Sequence, residues 1–404
     1  MVHRRISVRR LKANAAGTFS RRCARSRDFG LAGVLIMRIM RVICLLLAAI
    51  ACVSIPAWPT AFGEGIKKPP EDPKLRTAIA NGIEYLVKVQ DKNTGAMEAR
   101  DCFQLAATSL AGMAFLSGGN LPGRGQYCRN VEMALNFILE NALTPSGYIQ
   151  YYNSNMYSHG FATLFLAEAY GTLPANSQLG QKVYKALKKS VQLMEKCQTE
   201  EGGWWYNPLK DSGPNGADIS VTVCETNALR AARNCGIAVD KRVIEKALNC
   251  VKAAHNDDGG FSYRIGMNGV MFGGGGSAFP RSCGAVCILQ ALGAYDSLEA
   301  KQGLDYITAK GLPTPESMNG SGVSYYSIYY FAQAMFMAGS DYWAEWWPKL
   351  REHLLAKQDT DGSWLGEGGE AYGTAIALIV LQMPYRYLPI YQEGIEGPKT
   401  PGSE

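Results

Sequence analysis

"QTEEGGWWYNP", residues 198–208, sets a glutamine ahead of two glycines and two tryptophans. Its spacing, Gln-x3-Gly-x-Trp, returns as "QDTDGSW" at 358–364. It returns again as "HNDDGGF" at 255–261, with His255 and Phe261 in the Gln and Trp places, and one residue longer as "QDKNTGAM" at 90–97. A largely apolar pair stands just ahead of each copy: Tyr85-Leu86, Leu193-Met194, Cys250-Val251 and His353-Leu354. Phe137-Ile138 and Tyr306-Ile307 mark two degenerate copies, ending at Ala142 and Gly311. The places at 90, 142, 198, 255, 311 and 358 imply six copies of one unit across 75–390.

Each unit holds two helical patterns. The first is one-sided, as in "VYKALKKSVQLMEKCQ", where Val183, Leu187, Val191 and Met194 share a face and lysines cover the other. The second is apolar all round, as in "FQLAATSLAGMAFL" and "YGTAIALIVLQM", and so is buried on every side. Charged outer helices alternating with apolar inner ones predict an all-α fold, six helical hairpins closing into an (α/α)6 barrel, the α/α toroid. In this reading the glycines reverse the chain, the aromatic stacks on the next hairpin, and the Gln side chain bonds free amides at a helix end.

Aromatic-Leu-x3-Gln followed by Gly-x-Trp resembles the Gln–Trp repeat of squalene–hopene and oxidosqualene cyclases, shared more loosely with protein prenyltransferase β subunits. The resemblance implies reactive groups at the N-terminal ends of inner helices, beside a central cavity. Type II cyclases place an Asp-x-Asp-Asp acid there. The equivalent stretch is "NGAD", where only Asp218 matches, and Asn215 and Ala217 replace the partner acids. Asp218 is thus both a helix cap and the candidate catalytic acid. The prenyltransferase zinc site is matched only by the adjacent Asp101-Cys102 and by His159, with Cys283 and Cys287 one turn apart, so neither metal nor cofactor is expected.

The remaining candidates interrupt or crowd the inner helices. Glu168 and Glu225 lie among apolar neighbours and require pairing with Arg230, Arg233 or Arg281, protonation, or a wet cavity. If the cavity is wet, His159, Glu168 and Glu225 join Asp218 in lining it. Tyr157, Tyr325 and Tyr329 belong to aromatic clusters that either fill the barrel or face a hydrophobic ligand. "VMFGGGGSAFP", residues 270–280, is a candidate lid and lacks the Lys of a phosphate loop.

Charge narrows the class. Of 41 Lys and Arg and 35 Asp and Glu, 11 bases and one acid, Asp28, fall in residues 1–63. The rest is mildly acidic, which removes the case for nucleic acid. The first 63 residues read as a leader with an apolar core at 42–55, broken by Pro56, and a cleavage site at Ala61-Phe62-Gly63. A weak lipobox ending at Cys52 leaves membrane-surface association open. Residues 64–74 form a linker and 391–404 a tail. The expectation is an exported protein of the periplasm, envelope or exterior, with eight cysteines outside the leader, mostly buried thiols. Its partner is a hydrophobic, isoprenoid-like small molecule or lipid. The alternatives are a non-catalytic envelope scaffold and a carbohydrate-active (α/α)6 enzyme, which needs paired carboxylates on a groove.

Overall fold

Each one-sided and each all-apolar segment becomes one helix in the computed structural model, which describes Ile66 and residues 71–142, 145–174, 176–208, 216–265, 276–312 and 324–391. Residues 1–63, expected to be a leader, lie outside the described residues, as do those beyond 391 and residues 270–275 of the candidate lid. The outer helices are α1 (Pro73–Val89), α3 (Cys128–Ala142), α5 (Gln178–Cys197), α7 (Lys241–Ala253), α9 (Leu298–Lys310) and α11 (Ser340–Leu355). The inner helices are α2 (Gln104–Ser117), α4 (Met156–Tyr170), α6 (Ile219–Asn234), α8 (Phe279–Ala291), α10 (Tyr325–Met337) and α12 (Glu370–Gln382).

Burial follows the two patterns. Helix α5 buries Val183, Leu187, Val191 and Met194, while Lys182, Lys185 and Lys188 face solvent. Every residue from Leu105 to Ser117 in α2, and from Ala371 to Gln382 in α12, is buried. Each inner helix packs on the next, and α12 packs back on α2, so the ring is closed. The protein is an α/α toroid. Because outer and inner helices alternate in direction, all inner helices start on one face, the mouth, and end on the other, the floor.

The joints explain the quoted stretch. The Gln198 Nε2 donates to the Gly202 carbonyl of its own turn and to the Val243 carbonyl of α7, both at 2.8 Å. Gln90 likewise donates to Gly95 and to Asn130 of α3, each at 3.0 Å. Gln358 donates to Gly362 at 3.0 Å and to Ala78 of α1 at 2.9 Å, closing the ring with the same contact. The glutamines therefore give protons to carbonyls where free backbone amides were expected to give protons to them, and Gln90 also accepts one from the Asn130 side-chain amide at 2.7 Å. The Trp364 Nε1 donates to Leu354 at 2.7 Å, and its ring lies against Gly82 of α1; Trp204 donates to Met194 at 2.9 Å.

Gly202 shows why the turn needs glycine. Its φ is +92°, and a Cβ there would stand 2.3 Å from the Lys246 carbonyl oxygen of the next hairpin. The large ring after the small residue is thus one joint: glycine lets the backbones touch, and indole fills the space behind them.

Beyond α12 the chain makes two short 3₁₀ turns, Met383–Tyr385 and Pro389–Tyr391, that bury Ile390 and Tyr391 against the ends of the inner helices. The eight cysteines among the described residues are free. No helix of those residues is long and apolar enough to cross a membrane.

Gln198→Leu and Gln358→Leu each remove two hydrogen bonds and leave the Gly202 or Gly362 carbonyl without its side-chain donor, and each is expected to cost about 1–2 kcal/mol in urea unfolding. A Gln358→Leu cost near zero beside a full Gln198→Leu cost would mean that the ring does not close in solution.

Candidate functional site

At the mouth, β1 (Ala217–Asp218) pairs antiparallel with β2 (Arg264–Ile265), and Asp218 also bridges to Trp204. These contacts fix Asp218 at the N-terminus of α6. Its Oδ1 accepts from the Ser220 and Val221 amides at 2.8 and 3.0 Å, so the capping role is real. Oδ2 is buried and makes no hydrogen bond of good geometry, although the Tyr206 and Tyr263 hydroxyls stand beside it, 2.6 Å from each other. Burial pushes the Asp218 carboxyl up, against the opposing pull of the Val221 amide and the two phenols. The Arg281 guanidinium lies over the Tyr263 ring at 5.5 Å and donates to the Phe261 carbonyl. Tyr206, Tyr263 and Arg281 beside this carboxyl are partly exposed, as are Tyr157 and Phe279 at the starts of α4 and α8, so aromatic rings rim the mouth.

Below the rim the axis is filled. Helices α4 and α10 face each other across the ring, and their side chains meet: Tyr157 and Tyr326 at 5.7 Å, Phe161 and Tyr329 at 6.1 Å between ring centroids. Tyr330 packs edge-on against both Tyr326 and Tyr329. The Tyr326, Tyr329, Tyr372 and Tyr391 hydroxyls are buried and make no hydrogen bond of good geometry among the described residues. Tyr329 and Tyr391 lie near enough to influence each other, as do Tyr157 and Tyr372. Interior hydroxyls are normally satisfied, so a column of poorly satisfied phenols beneath the mouth marks this axis as unlike ordinary core.

Tyr157 and Tyr329 thus belong to the axis. Tyr325 caps differently: its amide and that of Tyr326 donate to the Glu367 carboxylate, each at 2.9 Å, and its ring lies by Gly366. His159 does not reach the axis either. The Ile149 amide donates to its Nδ1 at 3.1 Å, the same contact that Thr222 makes with Trp204 and Thr374 with Trp364. His159 therefore occupies a hydroxyl's place at a joint, and burial lowers its pKa to about 3. Its Nε2 is turned toward Ser190 of α5 without a bond of good geometry.

The two glutamates part company. Glu168 sits at the floor, where its Oε2 accepts from the Ile390 amide at 3.2 Å and Arg230 lies near; burial still pushes it up to about 7. Glu225 is fully buried and neither oxygen has a partner, so the expected arginine pairing is absent. Burial alone raises its pKa well above the ordinary value, and Tyr148, Cys197 and Cys224 are its neighbours. Among the described residues no three His, Cys, Asp or Glu side chains converge as metal ligands.

Tyr206 and Tyr263 were not singled out from sequence. Each stands eight residues beyond its joint residue, Gln198 or His255, and that shared register was the available signal.

No protein-family model and no curated sequence matches the chain. Among solved structures, cellobiose 2-epimerase from Bacillus thermoamylovorans superposes with a TM-score of 0.56 at 12% identity, covering 77% of this chain and 99% of that one. A possible GH105-family member from Salmonella enterica serovar Paratyphi A gives 0.55 at 14%, covering 78% and 96%. A type II terpene cyclase from Scytonema gives 0.35 at 14%, covering 79% and 100%. At such identities the likeness concerns the fold alone.

Glu225 sets a pH dependence whose sign is fixed. The unfolded carboxyl titrates near 4.5 and the folded one well above, so the folded chain holds an extra proton in between. Stability is full below the unfolded value and falls by about 1.4 kcal/mol per pH unit as pH rises toward the folded one. Glu225→Gln keeps the shape and removes that loss, so the variant is expected to be more stable at pH 7.5 and equal near pH 4.5 in urea titrations. An unchanged difference between the two pH values would mean that Glu225 is ionised or paired.

Proposed function

We propose that the chain is an exported small-molecule-binding toroid whose ligand seats at the mouth, with an apolar body against the aromatic rim and a polar end at Asp218. The observation that carries this is the Asp218 carboxyl. One oxygen is spent on the helix cap, and the other points, without a good partner, toward two tyrosine hydroxyls under a partly exposed ring of Tyr157, Tyr206, Tyr263 and Phe279. A buried acid of raised pKa beside phenols donates or accepts a hydrogen bond with a hydroxyl, carbonyl or amine. The rings favour a hydrophobic, isoprenoid-like or flat alicyclic body, each contributing area and weak cation or CH contacts.

Polyene cyclisation by the Asp-x-Asp-Asp route is not part of the proposal. That chemistry needs a second carboxylate beside the acid to keep it protonated near neutral pH, and Ala217 and Asn215 supply none. Toroids of similar shape act on sugars, as the epimerase name states, and a sugar ring would also stack on this rim. The joint residues favour the isoprenoid class, by resemblance.

A second reading has its own support. The rings of α4 and α10 touch across the axis, so a scaffold with a solid centre would look the same below the rim. Mass spectrometry of organic extracts from the purified mature chain separates the two. A binder yields a discrete apolar compound from the wild type and about tenfold less from Asp218→Leu, whereas a scaffold yields none from either. Export predicts that the mature chain, sequenced from its N-terminus, starts near residue 64. A chain that keeps its first 63 residues would remove that part of the proposal.

A further inference from the structure

The floor carries a cavity, far in the fold from Asp218, between the last turns of α2 and α12. It has a volume of about 490 Å³ and is lined in part by Ser117, Gly118, Gln382, Tyr385 and Tyr387. Ser117 and Gln382 are the final residues of their helices, so two helix C-termini turn their negative ends toward it.

Gln382 is the built element. It is only 4% exposed, and its Nε2 donates to the Ala114 carbonyl, the Ser117 hydroxyl and the Leu378 carbonyl at 2.9–3.1 Å. Two of these partners are carbonyls, which only accept, so the amide nitrogen must face them and the orientation is fixed. Its Oε1 therefore turns the other way, beside Gly118, where an added Cβ would stand 2.7 Å from it. Among the described residues that oxygen accepts no hydrogen bond. A rigidly held, unused acceptor that opens onto the cavity is ready for a donor from outside.

Charge and shape narrow the donor. The Tyr385 and Tyr387 rings lie nearly parallel at 6.4 Å and offer aromatic faces to a cation. Asp72 and Glu71 stand on the rim, each with an arginine: Arg351 at 3.4 Å and Arg76 at 2.8 Å. Those pairs balance and Asp72 caps the α1 N-terminus beside them, so the preference for positive charge comes from the α2 and α12 ends, the rings and the glutamine oxygen.

We infer that this floor pocket binds a small organic ammonium that still carries N–H, one proton donated to the Gln382 Oε1 and the cation held over the tyrosine rings. The probe is benzylammonium, titrated calorimetrically into the full mature chain beside benzyl alcohol, benzoate and benzyltrimethylammonium. Saturable one-to-one binding of benzylammonium, with the other three at least about tenfold weaker, supports the site. Absence of benzylammonium binding, or equal binding of the alcohol, the carboxylate or the quaternary ion, overturns it.

Two variants tie the binding to this place. Gly118→Ala presses on the glutamine oxygen and is expected to weaken benzylammonium about tenfold. Should that variant not fold, Tyr387→Ala removes a ring that is already 52% exposed and is expected to weaken binding several-fold. Undiminished binding in the folded variant overturns the assignment.

Discussion

One side-chain amide group holds this molecule in register. A glutamine at the end of an outer helix gives two protons, one to the turn that follows and one to the outer helix of the neighbouring hairpin. The first bond fixes the shape of the turn and the second fixes where the next hairpin stands. Everything inside depends on that spacing. The inner helices are apolar on all sides and would pack in many ways, so the polar joints, and not the oily interior, choose one.

The fold was legible because the joint is made of residues with few alternatives. A positive-φ turn against a neighbouring carbonyl admits only glycine, as at Gly202, and an indole fills the space behind it, as Trp204 and Trp364 do. Such demands leave a mark in the sequence each time they recur. The direction of the glutamine's hydrogen bonds left none, since the same side chain both donates and accepts.

The site was less legible for a related reason. His159 reads like a functional residue, yet it stands where Thr222 and Thr374 stand and accepts the same kind of amide proton. Several side chains satisfy one acceptor's role, so the sequence varies while the geometry does not. Asp218 combined two roles that sequence treats as rivals, capping with one oxygen and leaving the other at the rim. Glu225 failed the pairing rule outright, because a protonated carboxyl is an alternative to an ion pair that no sequence pattern distinguishes. The floor acceptor on Gln382 was invisible, since only packing decides which end of an amide is used.

The bond from Gln358 to Ala78 spans 280 positions of the chain. Every other joint forms between neighbours and can assemble as soon as both hairpins exist, but this one waits for almost the whole polypeptide. Until α11 arrives, α1 has only one flank, and the partial ring presents an apolar edge at each end. Folding is then two-tempo: fast local accretion of hairpins, followed by a single long-range closure that pays most of the loop entropy at once. The interval between the two is when the molecule is most open to its neighbours, since two incomplete rings offer each other the very edges that each must join to itself.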